Sequence, residues 1–246
     1  MRAEEIAGFL DEHLRARDFA AEAEPARLEV AGDRPVKAVA YAVDLCNAVL
    51  REAAGRGADL LGVRNGRGLT RPLVGSHREK VATCLKSGLS IYVVGAPLDA
   101  HAETGPSAQL LKALGIVATR AFSRSTRHGV GLAATCDIAR EELVEKVERN
   151  CGKARVLPAG PPRVKQVGVV AGRCDDFAMD AAAARFDTVI TGETSHAGAI
   201  DAEDHGLNVV LGGYQATEAM GIRALGAVVT EKFEIPGFFV AHATGL

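Results

Sequence analysis

The chain lacks most of the features that would place it in a specialised class. No charge of one sign dominates: 29 Lys and Arg stand against 31 Asp and Glu, a formal net charge of -2. Nothing general therefore draws it to nucleic acid or to an anionic membrane. No stretch approaches the roughly 18 consecutive apolar residues of a membrane span, the best pieces being VKAVAYAV and LNVVLGG. The opening MRAEEIAGFLDEHLRARDF puts Glu4, Glu5, Asp11 and Glu12 where an export signal needs unbroken apolar residues. A soluble, cytoplasmic protein is the expectation. Cysteines are few and odd in number (Cys46, Cys84, Cys136, Cys151 and Cys174), with no CxxC pair, which argues against a disulfide framework and a cysteine zinc site.

The common chemical templates are missing too. The GRG at Gly66 to Gly68 and the GVG at Gly129 to Gly131 fall short of the dinucleotide fingerprint, and there is no P-loop lysine signature, no G-x-S-x-G elbow and no H-E-x-x-H.

What is present is an ordinary globular composition, 48% hydrophobic and 24% charged over 246 residues. At about 150 residues per domain that leaves one large domain or two small ones. After an amphipathic N-terminal helix carrying Ile6, Phe9, Leu10 and Leu14, strand-like segments alternate with helical ones. The strands read as RLEV, VKAVAYAV, ADLLGV, LSIYVVG, VATRAF, RVKQVGVV, DTVITG, LNVVLGG and AVVTEKFEI. The helices read as 45–56, 76–87, 106–114, 140–150, 175–186, 195–205 and 216–225. Several stop at a glycine, among them Gly88, Gly115, Gly152, Gly206 and Gly226. This alternation predicts an α/β protein of two halves, with mixed or largely parallel sheets covered by helices. The proline cluster Pro158, Pro161 and Pro162 reads as a turn or linker. The expected division is a first half over 1–125, completed by a C-terminal strand within 227–246, and a second half over 126–226. DTVITG and LNVVLGG should be adjacent or nearly adjacent parallel strands, because the helix between them has crossover length.

In open α/β sheets ligands gather beyond the carboxyl ends of the strands. Just past those ends lie Arg64, Asn65 and Arg67; Asp99, His101 and Glu103; Glu193 and His196; and Tyr214 with Glu218. Carboxylates and imidazoles at three strand ends suit a polar site, although capping and helix-dipole effects also favour acids there.

The segments APLDAHAETGPSAQLLKALGI (Ala96 to Ile116) and TGETSHAGAIDAEDHGLNVVLGGYQATEAMGIRALG (Thr191 to Gly226) resemble the NIF-three-like family, the dinuclear-metal-centre hexameric proteins labelled GTP cyclohydrolase I type 2 homologues. The likeness extends weakly over VKAVAYAVDLCNAVLREAAGRGADLLGV. It implies two α/β halves, a ring-shaped homohexamer and two metal ions. The family's ligands are a His-His pair after the strand matching ADLLGV, the Asp of LDAH, and the His and Glu of G-H-x-A-T-E. Carried over, these positions are Arg64, Asn65, Asp99, Tyr214 and Glu218. Only Asp99 and Glu218 keep a ligand, and all three imidazoles are gone.

Imidazole carries the affinity of mixed nitrogen and oxygen sites for zinc or iron, and Arg64 places a permanent cation where a metal would stand. The expectation is a pseudo-site of Arg64, Asn65 and Tyr214 in which the guanidinium pairs with Asp99 or Glu218, and no cofactor. The alternative is one or two divalent ions, in a site relocated onto Asp99, His101, Glu193, His196 and Glu218. Function divides likewise. A non-catalytic or weakly metal-binding ring would recognise a small anionic ligand or partner through Arg64, Arg67 and Arg71; the alternative is a metal-dependent hydrolase.

Overall fold

The computed structural model describes residues 1–21, 25–66, 74–122, 131–175 and 185–245. Arg67, Arg71, the first two residues of the GVG at Gly129 to Gly131 and nearly all of the helix expected over 175–186 fall outside them. The described chain divides into two compact units, one made of Met1–His101 with Ile222–Thr244 and one of Ala102–Gly221.

The first unit opens with helix α1 (Ala3–His13), which buries Ala3, Ile6, Ala7 and Leu10 at the three-and-four spacing that the sequence announces. Its sheet runs β1-β4-β3-β2-β11, with β1 at Arg27–Val30, β2 at Val39–Asp44, β3 at Leu60–Asn65, β4 at Ser90–Val93 and β11 at Gly237–Phe239. Strands β4, β3, β2 and β11 are mutually parallel, and β1 is antiparallel to β4. Helices α2 (Asn47–Gly55) and α3 (Ser76–Ser87) follow β2 and β3. Ala40, Ala42, Leu61, Val63, Ile91 and Val93 form one core with Leu50 and Ala53 of α2 and Cys84 of α3. The alternate residues Val39, Tyr41, Leu60 and Tyr92 are buried as well, so both faces of the sheet are covered, as parallel strands require.

The second unit holds a six-stranded mixed sheet in the order β5-β6-β8-β9-β10-β7. The strands are β5 (Ala118–Phe122), β6 (Gly131–Ala139), β7 (Arg155–Pro158), β8 (Arg163–Arg173), β9 (Thr188–Glu193) and β10 (Asn208–Leu211). As expected, DTVITG and LNVVLGG pair in parallel, Asn208 opposite Thr188. Helices α5 (Pro106–Leu114) and α6 (Arg140–Cys151) pack Leu110, Leu111, Leu143 and Val147 on Val167, Val169 and Ile190. Helix α7 (His196–Asp204) supplies Ala202 to a cluster with Val189 and Val209. Two further α-helices among the described residues are the single-turn α4 (Ala96–Asp99) and the twenty-residue α8 (Tyr214–Phe233).

Three expectations change. AVVTEKFEI is not a strand: α8 continues to Phe233, burying Ile222, Leu225 and Val229 at helical spacing, and the strand that joins the first sheet is the shorter β11. The first segment of the first unit ends at His101, so β5 belongs to the second unit. The proline cluster lies inside the second unit, where Pro158 ends the edge strand β7 and Pro161 and Pro162 lead into β8; an edge strand tolerates a residue without an N–H.

Candidate functional site

In the first unit three strand ends deliver polar side chains to one place. Asp44 and Asn65 close β2 and β3 and stand opposite each other in the ladder. β4 is followed by Gly95, at φ 65, and by α4, whose last residue is Asp99. Pro97 early in α4 suits a first turn, where its missing N–H costs nothing.

Arg64 reaches across from β3 to this turn. Its Nε donates to Oδ1 of Asp99 at 2.6 Å and its Nη2 donates to Oδ2, a two-pronged pairing that engages both carboxylate oxygens. The side chains are only 12% and 15% exposed, so the pair is shielded from most of the solvent. Nη1 of Arg64 donates to Oδ1 of Asn65 at 3.0 Å, and Nδ2 of Asn65 donates to Oδ1 of Asp44 at 2.8 Å. The chain Asp44, Asn65, Arg64, Asp99 thus runs from a carboxylate through a buried amide and a guanidinium to a second carboxylate. Asp44 was not among the sequence candidates. The signal was there, a lone acid ending the apolar strand VKAVAYAVD, but it lies on the strand itself rather than in the loop beyond it.

The other expected residues gather in the second unit at the start of α8. Glu218 is 4% exposed, and its Oε1 lies where a side chain on Gly172, at φ +73, would have to go. The backbone N–H of Gly172 donates to Thr217 Oγ1 at 3.0 Å, and that hydroxyl donates back to Gly213 O at 2.9 Å. A Cβ on Gly192 would come within 2.7 Å of Thr217 Oγ1 and 2.8 Å of Tyr214 Cα. Glycines at the ends of β8, β9 and β10 therefore let the first turn of α8, with half-buried Tyr214 and buried Glu218, settle against three parallel strand ends.

The remaining candidates make contacts of their own. His101 stacks on His13 of α1 with ring centroids 4.7 Å apart, and His13 stacks in turn on Phe9. Glu193 ends β9, its carbonyl accepting from Cys174 N. His196 is the exposed first residue of α7, where Ser195 caps the helix by accepting from Gly198 N. The carbonyl of Glu103 accepts from Gln109 Nε2. Among the described residues no group of three or more His, Cys, Asp or Glu side chains could hold a metal ion, and no helix is long and apolar enough to cross a membrane.

The donor set is a poor match for a two-metal centre. Of the five positions that the resemblance assigns, two carry carboxylates and none an imidazole, and both oxygens of Asp99 are engaged by a guanidinium.

Comparison with known proteins covers the chain from end to end. The family model described as Duf34/NIF3 (NGG1p interacting factor 3) matches residues 1–244. Two GTP cyclohydrolase 1 type 2 homologs are each 33% identical: one from Deinococcus radiodurans, over 99% of this chain and 94% of that protein, and one from Pyrococcus abyssi, over the whole of both. The crystal structure of TTHA1606 from Thermus thermophilus superposes with a TM-score of 0.89 at 29% identity, covering all of both chains.

Proposed function

The chain belongs to the Duf34/NIF3 family, and from that starting point we propose that it is a non-catalytic, metal-independent member that works by recognising a small anionic ligand or a partner. The observation that carries this reading is the two-pronged Arg64–Asp99 pair. A guanidinium stays charged at any physiological pH, so it satisfies the carboxylate permanently and opposes a divalent cation at the same spot. A hydrolase of this kind needs the ion itself, to lower the pKa of the attacking water.

The pairing also redistributes the recognition role. Arg64 is neutralised by Asp99, so the anion-binding part of the proposal rests on Arg67 and Arg71 of the stretch RNGRGLTRP, which lie outside the described residues. The resemblance adds a homohexameric ring, which light scattering would report as a mass near six chains.

Metal analysis of protein purified without a histidine tag and without added metal tests the central claim. Well under one ion per chain is expected. Two stoichiometric zinc, iron or manganese ions would overturn it in favour of the metal-dependent hydrolase.

A further inference from the structure

A second candidate site lies at the edge of the first sheet, sharing no residue with the Arg64 network. It is a cavity of about 370 Å³ between β11 and the last turns of α8, lined by Tyr41, Arg223, Gly226, Thr230, Glu231 and Phe239 among others. That volume is in the range of small-molecule pockets.

The geometry around Tyr41 is costly unless it serves something. The ring is flanked by three glycines on three elements: a Cβ would approach it to 3.2 Å from Gly62 on β3, 2.8 Å from Gly226 on α8 and 3.1 Å from Gly237 on β11. A glycine within a helix or strand weakens it, so the slot around the ring is maintained at the expense of its neighbours. At the centre is a residue 5% exposed whose hydroxyl is buried and has no hydrogen-bond partner. Buried hydroxyls are rarely left this way, and the exceptions call for a ligand or water to complete them. Burial also holds the phenol above its ordinary range, so it is a neutral donor at any physiological pH.

The rim supplies the other half of the recognition. Arg223, an exposed residue, holds its guanidinium carbon over the ring of Phe239, 3.8 Å from the centroid, and among the described residues it makes no ion pair. Stacking occupies a face of the guanidinium and leaves its N–H edges for an anion. Glu231 sits about two helical turns further along α8, at the opposite end of the lining.

We propose that this cavity binds a small planar aromatic acid, its carboxylate on Arg223, its ring against Phe239 and the glycine-lined wall, and a hydrogen-bond acceptor on the Tyr41 hydroxyl. Glu231 sets the orientation, since it repels the acidic end toward Arg223. The pocket is independent of the metal-free reading above and stands whether or not that reading holds.

Calorimetric titration of the whole chain with 2-naphthoate, with 2-naphthalenemethanol as its uncharged counterpart, provides the test. The acid is expected to bind more tightly than the alcohol. Arg223→Gln should weaken the acid by about tenfold and abolish that preference, because the charge-assisted pair is lost. Tyr41→Phe should weaken binding by about fivefold while leaving the free protein as stable as before or more so, since it removes an unpartnered buried hydroxyl. A purely structural Tyr41 would give the reverse. Ala227→Phe, on an exposed face of α8, should fill the cavity and abolish binding with no loss of fold by circular dichroism. Absence of binding at millimolar acid overturns the proposal, as does binding unmoved by all three substitutions. So does a fall in light-scattering mass on Ala227→Phe, which would mean that a second copy of the chain covers this face.

Discussion

The Oε1 atom of Glu218 occupies the space that a side chain on Gly172 would need. The two residues come from the end of β8 and the first turns of α8, and the fit depends on the left-handed backbone at Gly172, φ +73. Gly172→Ala combines an unfavourable φ with a collision against a buried carboxylate. It is expected to cost about 2–4 kcal/mol, read as a lower urea midpoint at unchanged slope. A loss below about 0.5 kcal/mol would mean that Glu218 swings aside freely.

Arg64→Met removes the cation from a half-buried pair and leaves Asp99 facing its site alone. The expected loss is about 2–3 kcal/mol, below the full cost for a deeply buried pair because some solvent reaches both side chains. Adding Asp99→Leu should recover much of it, so a double-mutant cycle should show coupling of about 1 kcal/mol or more. Strict additivity would show the pair to be an incidental contact.

Stability should fall in alkali. Tyr92 is held well above the ordinary tyrosine range by burial first, then by its 2.6 Å hydrogen bond to Asp11 and by that carboxylate's charge. Burial pushes the thiols of Cys84 and Cys151 up to about 11. Each group is neutral when protonated and has a folded pKa above its unfolded one. Its stabilising contribution is complete below the unfolded value and drains away as pH rises toward and through the folded one. Melting temperature should therefore begin to drop above about pH 9. Tyr92→Phe should shallow that decline and cost about 1–2 kcal/mol at neutral pH through the lost bond to Asp11. A flat profile between pH 8 and 11 would contradict the assignment.

Restoring imidazoles tests how far the backbone has kept the family geometry. The triple variant Arg64→His, Asn65→His, Tyr214→His is expected to take up zinc or manganese that the parent does not, measured by metal analysis after dialysis. If the variant folds and gains no metal, the Asp99 and Glu218 positions have themselves diverged.

Much of the architecture was legible because local signals agreed with tertiary packing. Helices α3 and α5 run over the residues expected because each ends at a glycine in the left-handed region, Gly88 and Gly115. AVVTEKFEI misled because Val228, Val229 and Thr230 are β-branched, a local preference that the helical spacing of Ile222, Leu225 and Val229 overrides. Strand β6, GLAATCDIA, was missed: its alanines and lone Cys136 give no clear alternation, and its pairing with β8 is what makes it a strand.

The site was legible in part. Pairing of Arg64 with Asp99 follows from charge once a resemblance puts the two positions together. Asp44 and Gly172 do not, because each matters through one neighbour, Asn65 and Glu218, that lies 21 and 46 residues away in sequence and that only the assembled sheet brings near.

The seat of β11 also dictates an order of events. Gly237 pairs with Val39, so the edge of β2 is closed by residues that leave the ribosome almost two hundred positions after it. By then residues 102–221, the whole second unit, have already emerged and can condense on their own contacts. The first unit must wait, its β2 edge unpaired and the Tyr41 face bare of α8, until a loop of nearly two hundred residues closes. During synthesis the unit begun before the other is thus the one completed after it, and a chain stalled shortly after Gly221 would present a raw parallel edge to every neighbour.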